Sequence, residues 1–285
     1  MTIALITGTS TGIGLATAIT LGRAGHTVFA GMRNLDGAAE LRSIAEREKL
    51  AVGAIQLDVT DDASIARAID HVLAVSGRID VLVNNAGIGG RGPVKDAAID
   101  DYRRIMETNL YGVLRCIQAV LPGMCVRRAG TVINVSSLSG RIALSPQAPY
   151  AASKWALEGV SECLAHEMKS FNVRVAIVEP GVTATPIFGK GTPPLNPDDP
   201  QTRRLTALFK ALRPTATSPY VVAEQIRAIV EGDSWQLRYP TGLDAPVFLN
   251  WRAGKSDEEW VALGGVGDAE WSAEIKRQFG LDVTP

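Results

Sequence analysis

The chain has 285 residues and a net charge of −1, with 29 Lys and Arg against 30 Asp and Glu. That balance lacks the basic footprint of a nucleic-acid binder or a polybasic membrane anchor, so neither kind of partner is expected. Apolar residues form 46% of the sequence, enough for a large core, and no uninterrupted apolar run reaches the ~20 residues of a membrane span. The opening MTIALITGTSTGIG has no basic leader and no cleavage pattern. Cys116, Cys125 and Cys163 are scattered without a CxxC pair and are expected to be buried, reduced thiols. These features predict a cytoplasmic location.

In chain order, short β-branched runs predict strands at 2–7, 27–32, 52–57, 79–84, 131–136 and 173–178. Their near-continuous apolar character marks strands covered on both faces, as in a parallel sheet. Helix-period segments fall between them at 13–24, 36–48, 62–76, 98–125 and 149–171, and Gly25 closes the first of these as a C-cap. This alternation predicts α/β class: a Rossmann-like, doubly wound parallel sheet in one domain, 1–285. Residues 186–219 are proline-rich around a short amphipathic piece, TRRLTALFKAL, and are expected to form a substrate lid. A further helix is predicted in PYVVAEQIRAIVEG. Residues 235–285 then form a C-terminal extension with Trp235, Trp251, Trp260 and Trp271.

Directly after the first strand, TGTSTGIG sets Gly8, Gly12 and Gly14 before a helix. Glycines there let backbone N–H groups approach a pyrophosphate at a helix N-terminus. NNAG follows the fourth predicted strand at Asn84 to Gly87, and a YxxxK pair stands at Tyr150 and Lys154. With Asn109 in METNLYG, the serines of NVSSLSG and Pro180-Gly181, these motifs make the chain resemble the classical short-chain dehydrogenases/reductases over about residues 1–186. The resemblance implies hydride transfer between a nicotinamide cofactor and a carbonyl or secondary alcohol.

A cofactor site is accordingly expected from Gly8, Ser10, Thr11, Gly12, Ile13, Gly14, Arg33, Asp58, Val59, Asn85, Ala86, Gly87, Tyr150, Lys154, Pro180, Gly181, Thr183 and Thr185. Asn84 and Asn85 are expected to satisfy backbone groups between neighbouring strands. Asp58 matches the position that contacts the adenine amino group in the family, with a helix-capping role as the alternative. The family's loop motif PGxVxT has Thr183 in place of Val here. The second strand ends in AGMRN, with no acidic side chain to take a ribose 2′-hydroxyl. Arg33 offers a charge-assisted contact to a 2′-phosphate instead, which predicts NADP(H).

Tyr150 and Lys154 are i and i+4, so a helix places them on one face. An ammonium beside the phenol is expected to lower its pKa from near ~10 toward the working range of a general acid. Ser136, Ser137 and Ser139 could each hold the substrate oxygen, and the family's spacing of thirteen residues to the tyrosine selects Ser137. By resemblance, Asn109 bends its helix and holds a water that passes protons to Lys154. Trp155 points off the Tyr–Lys face and is expected to pack.

His26, His71 and His166 have no ligand spacing, so no metal is expected. The pairs Arg103-Arg104, Arg127-Arg128 and Arg203-Arg204 read as solvated faces. Ile142, Leu144 and Pro149, with Ile187, Phe188, Leu195, Leu205, Leu208 and Phe209 of the lid, suggest a lipophilic or aromatic carbonyl or alcohol, with packing of the lid onto the body as the alternative. VFAGMRN resembles steroid- and retinol-acting members. A homodimer or homotetramer is expected, with Leu114, Ile117, Val120 and Leu157 as candidate contacts. A cofactor-binding sensor with little turnover and a cofactor-retaining isomerase or dehydratase are the rival readings.

Overall fold

The computed structural model describes residues 1–188 and 196–285. Leu195 of the expected lid lies outside them, as does the side chain of Phe188. The elements run β1 (Ile3–Thr7), α1 (Gly12–Arg23), β2 (Thr27–Met32), α2 (Ala39–Glu48), β3 (Val52–Gln56), α3 (Asp62–Ser76) and β4 (Val81–Asn84). After β4 come α4 (Ile99–Met106), α5 (Gly112–Arg127), β5 (Gly130–Val135), α6 (Ala148–Lys169), β6 (Val173–Pro180) and α7 (Pro200–Leu212). The chain ends with α8 (Pro219–Glu231), β7 (Arg238–Thr241), α9 (Ala245–Ala253), α10 (Asp257–Ala262) and α11 (Asp268–Phe279).

The strands form one parallel sheet ordered β3-β2-β1-β4-β5-β6-β7. The order reverses between β1 and β4, and the carboxyl ends of strands at such a reversal are where open α/β sheets bind ligands. Side-chain alternation splits each strand between two cores. Leu5 of β1 joins a cluster with Ile65 of α3, Val113 of α5 and Leu157 of α6. Its neighbours Ala4 and Ile6 join Ala18 of α1, Leu41 of α2 and Ile226 of α8 on the opposite face. The fold is thus the expected doubly wound α/β sheet.

β7 is the strand that the sequence did not reveal. RYPT contains a proline, and Pro240 is tolerated because β7 is the sheet's edge. The predicted helix 98–125 is also not uniform: a π-helical turn, Glu107–Tyr111, separates α4 from α5. The segment Ile99–Arg127 is long and apolar enough to cross a bilayer by composition. Its apolar residues Val113, Cys116, Ile117, Val120 and Met124 pack in the first core.

Several surface expectations are corrected. Ile117, Val120 and Leu157 face the sheet and are buried, and Leu114 packs partly against the same core, so they do not form an exposed contact face. Val126 of α5, Trp155 of α6 and Tyr111 of the π-helical turn are exposed, so Trp155 does not pack into the core. Cys116 is buried, Cys125 is half-buried and Cys163 is exposed. Arg103 and Arg104 pair with Asp100 and Asp101 at the surface. Arg204 is instead buried, and its guanidinium donates to Asp268 at 2.8 Å, tying α7 to α11.

Candidate active site

The turn from β1 to α1 is shaped by steric necessity. Gly8 has φ +72°, and a Cβ there would lie 2.6 Å from Ala86 Cα. A Cβ on Gly14 would meet Gly8 O at 2.3 Å and Asn85 Nδ2 at 2.4 Å. Asn85 Nδ2 donates to the carbonyls of Thr7 and Gly8, each at 2.9 Å, and fixes the turn against NNAG. Asn85 and Ala86 in turn donate their backbone N–H groups to Thr7 Oγ1 at 3.1 and 3.0 Å. Asn84 departs from expectation. Its amide donates to Asn134 Oδ1 at 2.8 Å, a side-chain link between β4 and β5 rather than a backbone one. Thr11 occupies the N-cap of α1 without a side-chain capping bond. A helix start with free N–H groups and bare glycine in front of it is a cradle suited to a pyrophosphate.

One cleft runs from this cradle past Arg33, Asp58 and Val59 to Ala86, Gly87, Ser137, Tyr150 and Lys154, and on to Pro180, Thr183 and Thr185. Ser10, Thr11, Gly12, Ile13, Asn85 and Gly181 also line it. Arg33 is exposed just beyond the end of β2, where Met32 pairs with Gln56. Asp58 lines the cleft and does not take the helix-capping alternative. Its Oδ1 accepts from Thr60 N at 3.0 Å and Thr60 Oγ1 at 2.8 Å, while Asp61 caps α3 itself.

Asn109 sits fully buried in the π-helical turn. Its Nδ2 donates to Ile88 O and to Ser153 Oγ, both at 3.0 Å, and its Oδ1 accepts from Ile88 N at 2.8 Å. These bonds join the long helix to the loop after β4 and to α6, close to the Tyr–Lys face.

Ser137, Tyr150 and Lys154 converge where β5 and α6 meet. Ser137 opens a short 3₁₀ turn and its Oγ accepts from Ser139 N at 3.1 Å. The Tyr150 hydroxyl is hydrogen-bonded to Ser137, which singles out that serine from its neighbours. Lys154 Nζ lies 5.8 Å from the centre of the Tyr150 ring and donates to Val135 O at 2.9 Å. The expected downward shift of Tyr150 is not what the chain's own residues produce. Burial pushes the phenol up to about 12, and the bond from Ser137 opposes this. Burial likewise lowers Lys154 to about 8 against the pull of Glu158. Desolvation is the largest cause of the shift in both groups.

One cleft joins the glycine cradle to a Ser–Tyr–Lys set at the strand ends. The sequence matches the short chain dehydrogenase family over residues 2–195.

The chain belongs to the short-chain dehydrogenase/reductase family.

It is 33% identical to a short-chain dehydrogenase from Streptomyces avermitilis, with 98% of each chain covered and a TM-score of 0.78. It is also similar to a gluconate 5-dehydrogenase from Burkholderia cenocepacia solved with NADP and tartrate, at 31% identity and TM-score 0.68, covering 80% of this chain and 87% of that one. Among curated relatives, human retinol dehydrogenase 8 is 40% identical over 191 residues, 65% of this chain and 60% of the relative. This short-chain dehydrogenase is therefore an oxidoreductase.

Its loop after β6 shows residues that sequence reasoning missed. Gly181 N donates to Thr241 O at 2.9 Å, and Thr183 pairs with Thr217 as an isolated parallel bridge. Asp244, at the start of α9, accepts from Val182 N at 2.7 Å. A Cβ on Gly181 would meet Asp244 Oδ1 at 2.1 Å, so glycine is needed for this close approach. No local motif marks Thr217, Thr241 or Asp244, because they act only through contacts made by distant segments.

The apolar lid is also reassigned. Ile142, Leu208, Phe248, Trp251 and Trp271 belong to a third core, and Leu205 is buried, so these side chains hold the lid helix to the C-terminal extension. Ile88, Pro186 and Ile187 are among the apolar residues that line the cleft.

Proposed function

We propose that this protein transfers hydride between NADP(H) and a carbonyl or secondary alcohol flanked by apolar groups. The observation that carries the reading is the meeting of Ser137, Tyr150 and Lys154 in the cleft that begins at the glycine cradle. The bare turn at Gly8 and Gly14 and the uncapped start of α1 fit a pyrophosphate. Arg33 at the ribose end, with no carboxylate in AGMRN, favours the 2′-phosphate form, and the NADP-bound gluconate dehydrogenase supports it. Thr183, Thr185 and the loop at Pro180-Gly181 would hold the nicotinamide end. When bound there, the cofactor supplies or accepts the hydride.

The chain's own groups handle the proton. Ser137 and Tyr150 orient the substrate oxygen by hydrogen bonding, and Tyr150 donates its proton to that oxygen during reduction. A phenol held near 12 remains protonated at neutral pH, as a general acid for reduction must. The Lys154 cation stabilises the phenolate left behind. Asn109 keeps the long helix and α6 in register around this pair. Ile88, Pro186 and Ile187 favour apolar substituents on the substrate, in line with the similarity to a retinol dehydrogenase. Exposed Tyr111 and Trp155 support self-association into a homodimer or homotetramer.

An NADPH-consumption screen over ketone and aldehyde classes, with Tyr150→Phe as control, tests the reading. A loss of at least ~10²-fold in rate is expected for the variant. Turnover near wild type would refute the assigned roles.

A further inference from the structure

One helical turn beyond Lys154, α6 carries a second buried charge that the proposed chemistry does not use. Glu158 is 4% exposed, and Glu179, near the end of β6, is 0% exposed. Two arginines hold them. Arg238 of the edge strand donates from Nε to Glu158 Oε2 at 3.0 Å and lies 3.6 Å from Glu179 Oε1. Its Nη2 donates to Glu162 Oε2 at 2.5 Å. Arg141, just past the 3₁₀ turn that Ser137 opens, donates to Glu179 Oε1 at 3.1 Å. The network thus links α6, β6, β7 and the serine turn around the base of Lys154.

The packing at its centre is tight and incompletely satisfied. A Cβ on Gly140 would lie 2.8 Å from Ser136 Oγ, 2.9 Å from Glu158 Cγ and 3.1 Å from Lys154 O, so these atoms crowd one spot. Ser136 Oγ, Glu158 Oε1 and Glu179 Oε2 have no hydrogen-bond partner among the described residues. Burying carboxylates is costly, and apolar side chains of similar size would fill the same volume at less cost. Such a group beside a catalytic cation has a direct electrostatic consequence, because a nearby negative charge favours the protonated lysine and a nearby guanidinium opposes it.

We propose that Glu158, held with Glu179 by Arg238 and Arg141, is a positioning residue that sets the charge felt by Lys154 and so the upper pH limit of turnover. The proposal rests on the role given to Lys154 above. Tyr150 and Glu158 are the titratable groups beside the lysine on its own helix, and Glu158 is in turn faced through Arg238 of β7 by Glu162 of α6 and Glu179 of β6, with Arg141 of the turn after β5 on Glu179. Glu158 already appears as the charge that opposes the downward effect of burial on Lys154.

The test is the pH dependence of kcat/KM for ketone reduction with NADPH. Glu158→Gln keeps the shape of the side chain and removes its charge, so the alkaline limb should move down by about 0.5–1 pH unit. Arg238→Gln frees the carboxylates to act on the lysine, and the limb should move up. Glu158→Asp should return it toward the wild-type position. Damage to packing alone would lower rates without opposed displacements. An unmoved limb in folded Glu158→Gln, or displacement of both variants in one direction, overturns the proposal. If Glu158→Gln fails to fold, the upward movement in Arg238→Gln and the position of Glu158→Asp decide it. Tyr150→Phe, run alongside, separates the two levels: activity like wild type in that variant refutes the site reading itself, whereas its inactivity together with unmoved limbs in the Glu158 and Arg238 variants refutes only the role of Glu158.

Discussion

The ammonium of Lys154 donates to the carbonyl oxygen of Val135 at 2.9 Å, so the catalytic helix is pinned to the strand that delivers Ser137. This bond fixes the lysine at the strand end and keeps it buried. Burial in turn lowers Lys154 to about 8 from an ordinary value of 10.5. Between those limits the unfolded chain holds more protons than the folded one. Stability therefore rises with pH across that window, and the full cost of burying the charge is present below it.

Lys154→Met removes that dependence. Relative to the variant, the wild type should gain about 2 kcal/mol of stability between pH 7 and 9.5. Thermal or urea unfolding at the two pH values measures the difference. The same variant should lose turnover by at least ~10²-fold, which separates catalytic need from stability.

Ser137 opposes the effect of burial on Tyr150 through its hydrogen bond. Ser137→Ala should therefore raise the phenol further. Alcohol oxidation needs the phenolate as base, so its acid limb should move to higher pH, and kcat should fall by ~10²-fold. A pH–rate profile in the oxidising direction reads both effects.

Arg33 stands exposed at the ribose end of the cleft. Arg33→Ala should lower kcat/KM for NADPH by about 10-fold or more, the scale of a charged hydrogen bond, and leave NADH little changed. Steady-state kinetics with the two cofactors gives the ratio. A tenfold preference of the wild type for NADH would overturn the assignment.

Asn109 makes three hydrogen bonds while fully buried. Asn109→Ala strands the backbone N–H and carbonyl of Ile88, at about 2–4 kcal/mol. A lowered urea midpoint with an unchanged slope is the expected result.

Gly14→Ala places a methyl group 2.3 Å from the carbonyl oxygen of Gly8. Backbone there cannot give way without opening the turn, so cofactor binding should be lost by titration even where the sheet remains folded.

Much of this was legible in order along the chain. The βα alternation announced the sheet because both-face burial forces apolar strands, and the TGxxxGIG, NNAG and YxxxK motifs lie in local stretches whose spacing survives folding. Asn109 could be singled out from its motif, yet its three bonds could not, since Ile88 and Ser153 are distant in sequence. The two readings of the apolar lid could not be separated for a similar reason: Leu208 and Ile142 suit a pocket or a core equally by type, and the C-terminal aromatics that pack with them are distant in sequence. Periodicity placed Ile117 and Leu157 on helices without saying which face met the sheet.

By itself, then, the sequence determined the class of fold, the family and the residue types that meet in the cleft. Those depend on local periodicity and on motifs a few residues long. Only the tertiary structure decided the environment of each group. Whether Tyr150 is raised or lowered depends on the balance between desolvation and its hydrogen bond with Ser137. Whether Glu158 acts on Lys154 depends on arginines from β7 and from the turn after β5. Electrostatic energies follow distance and burial in space, and chain order records neither.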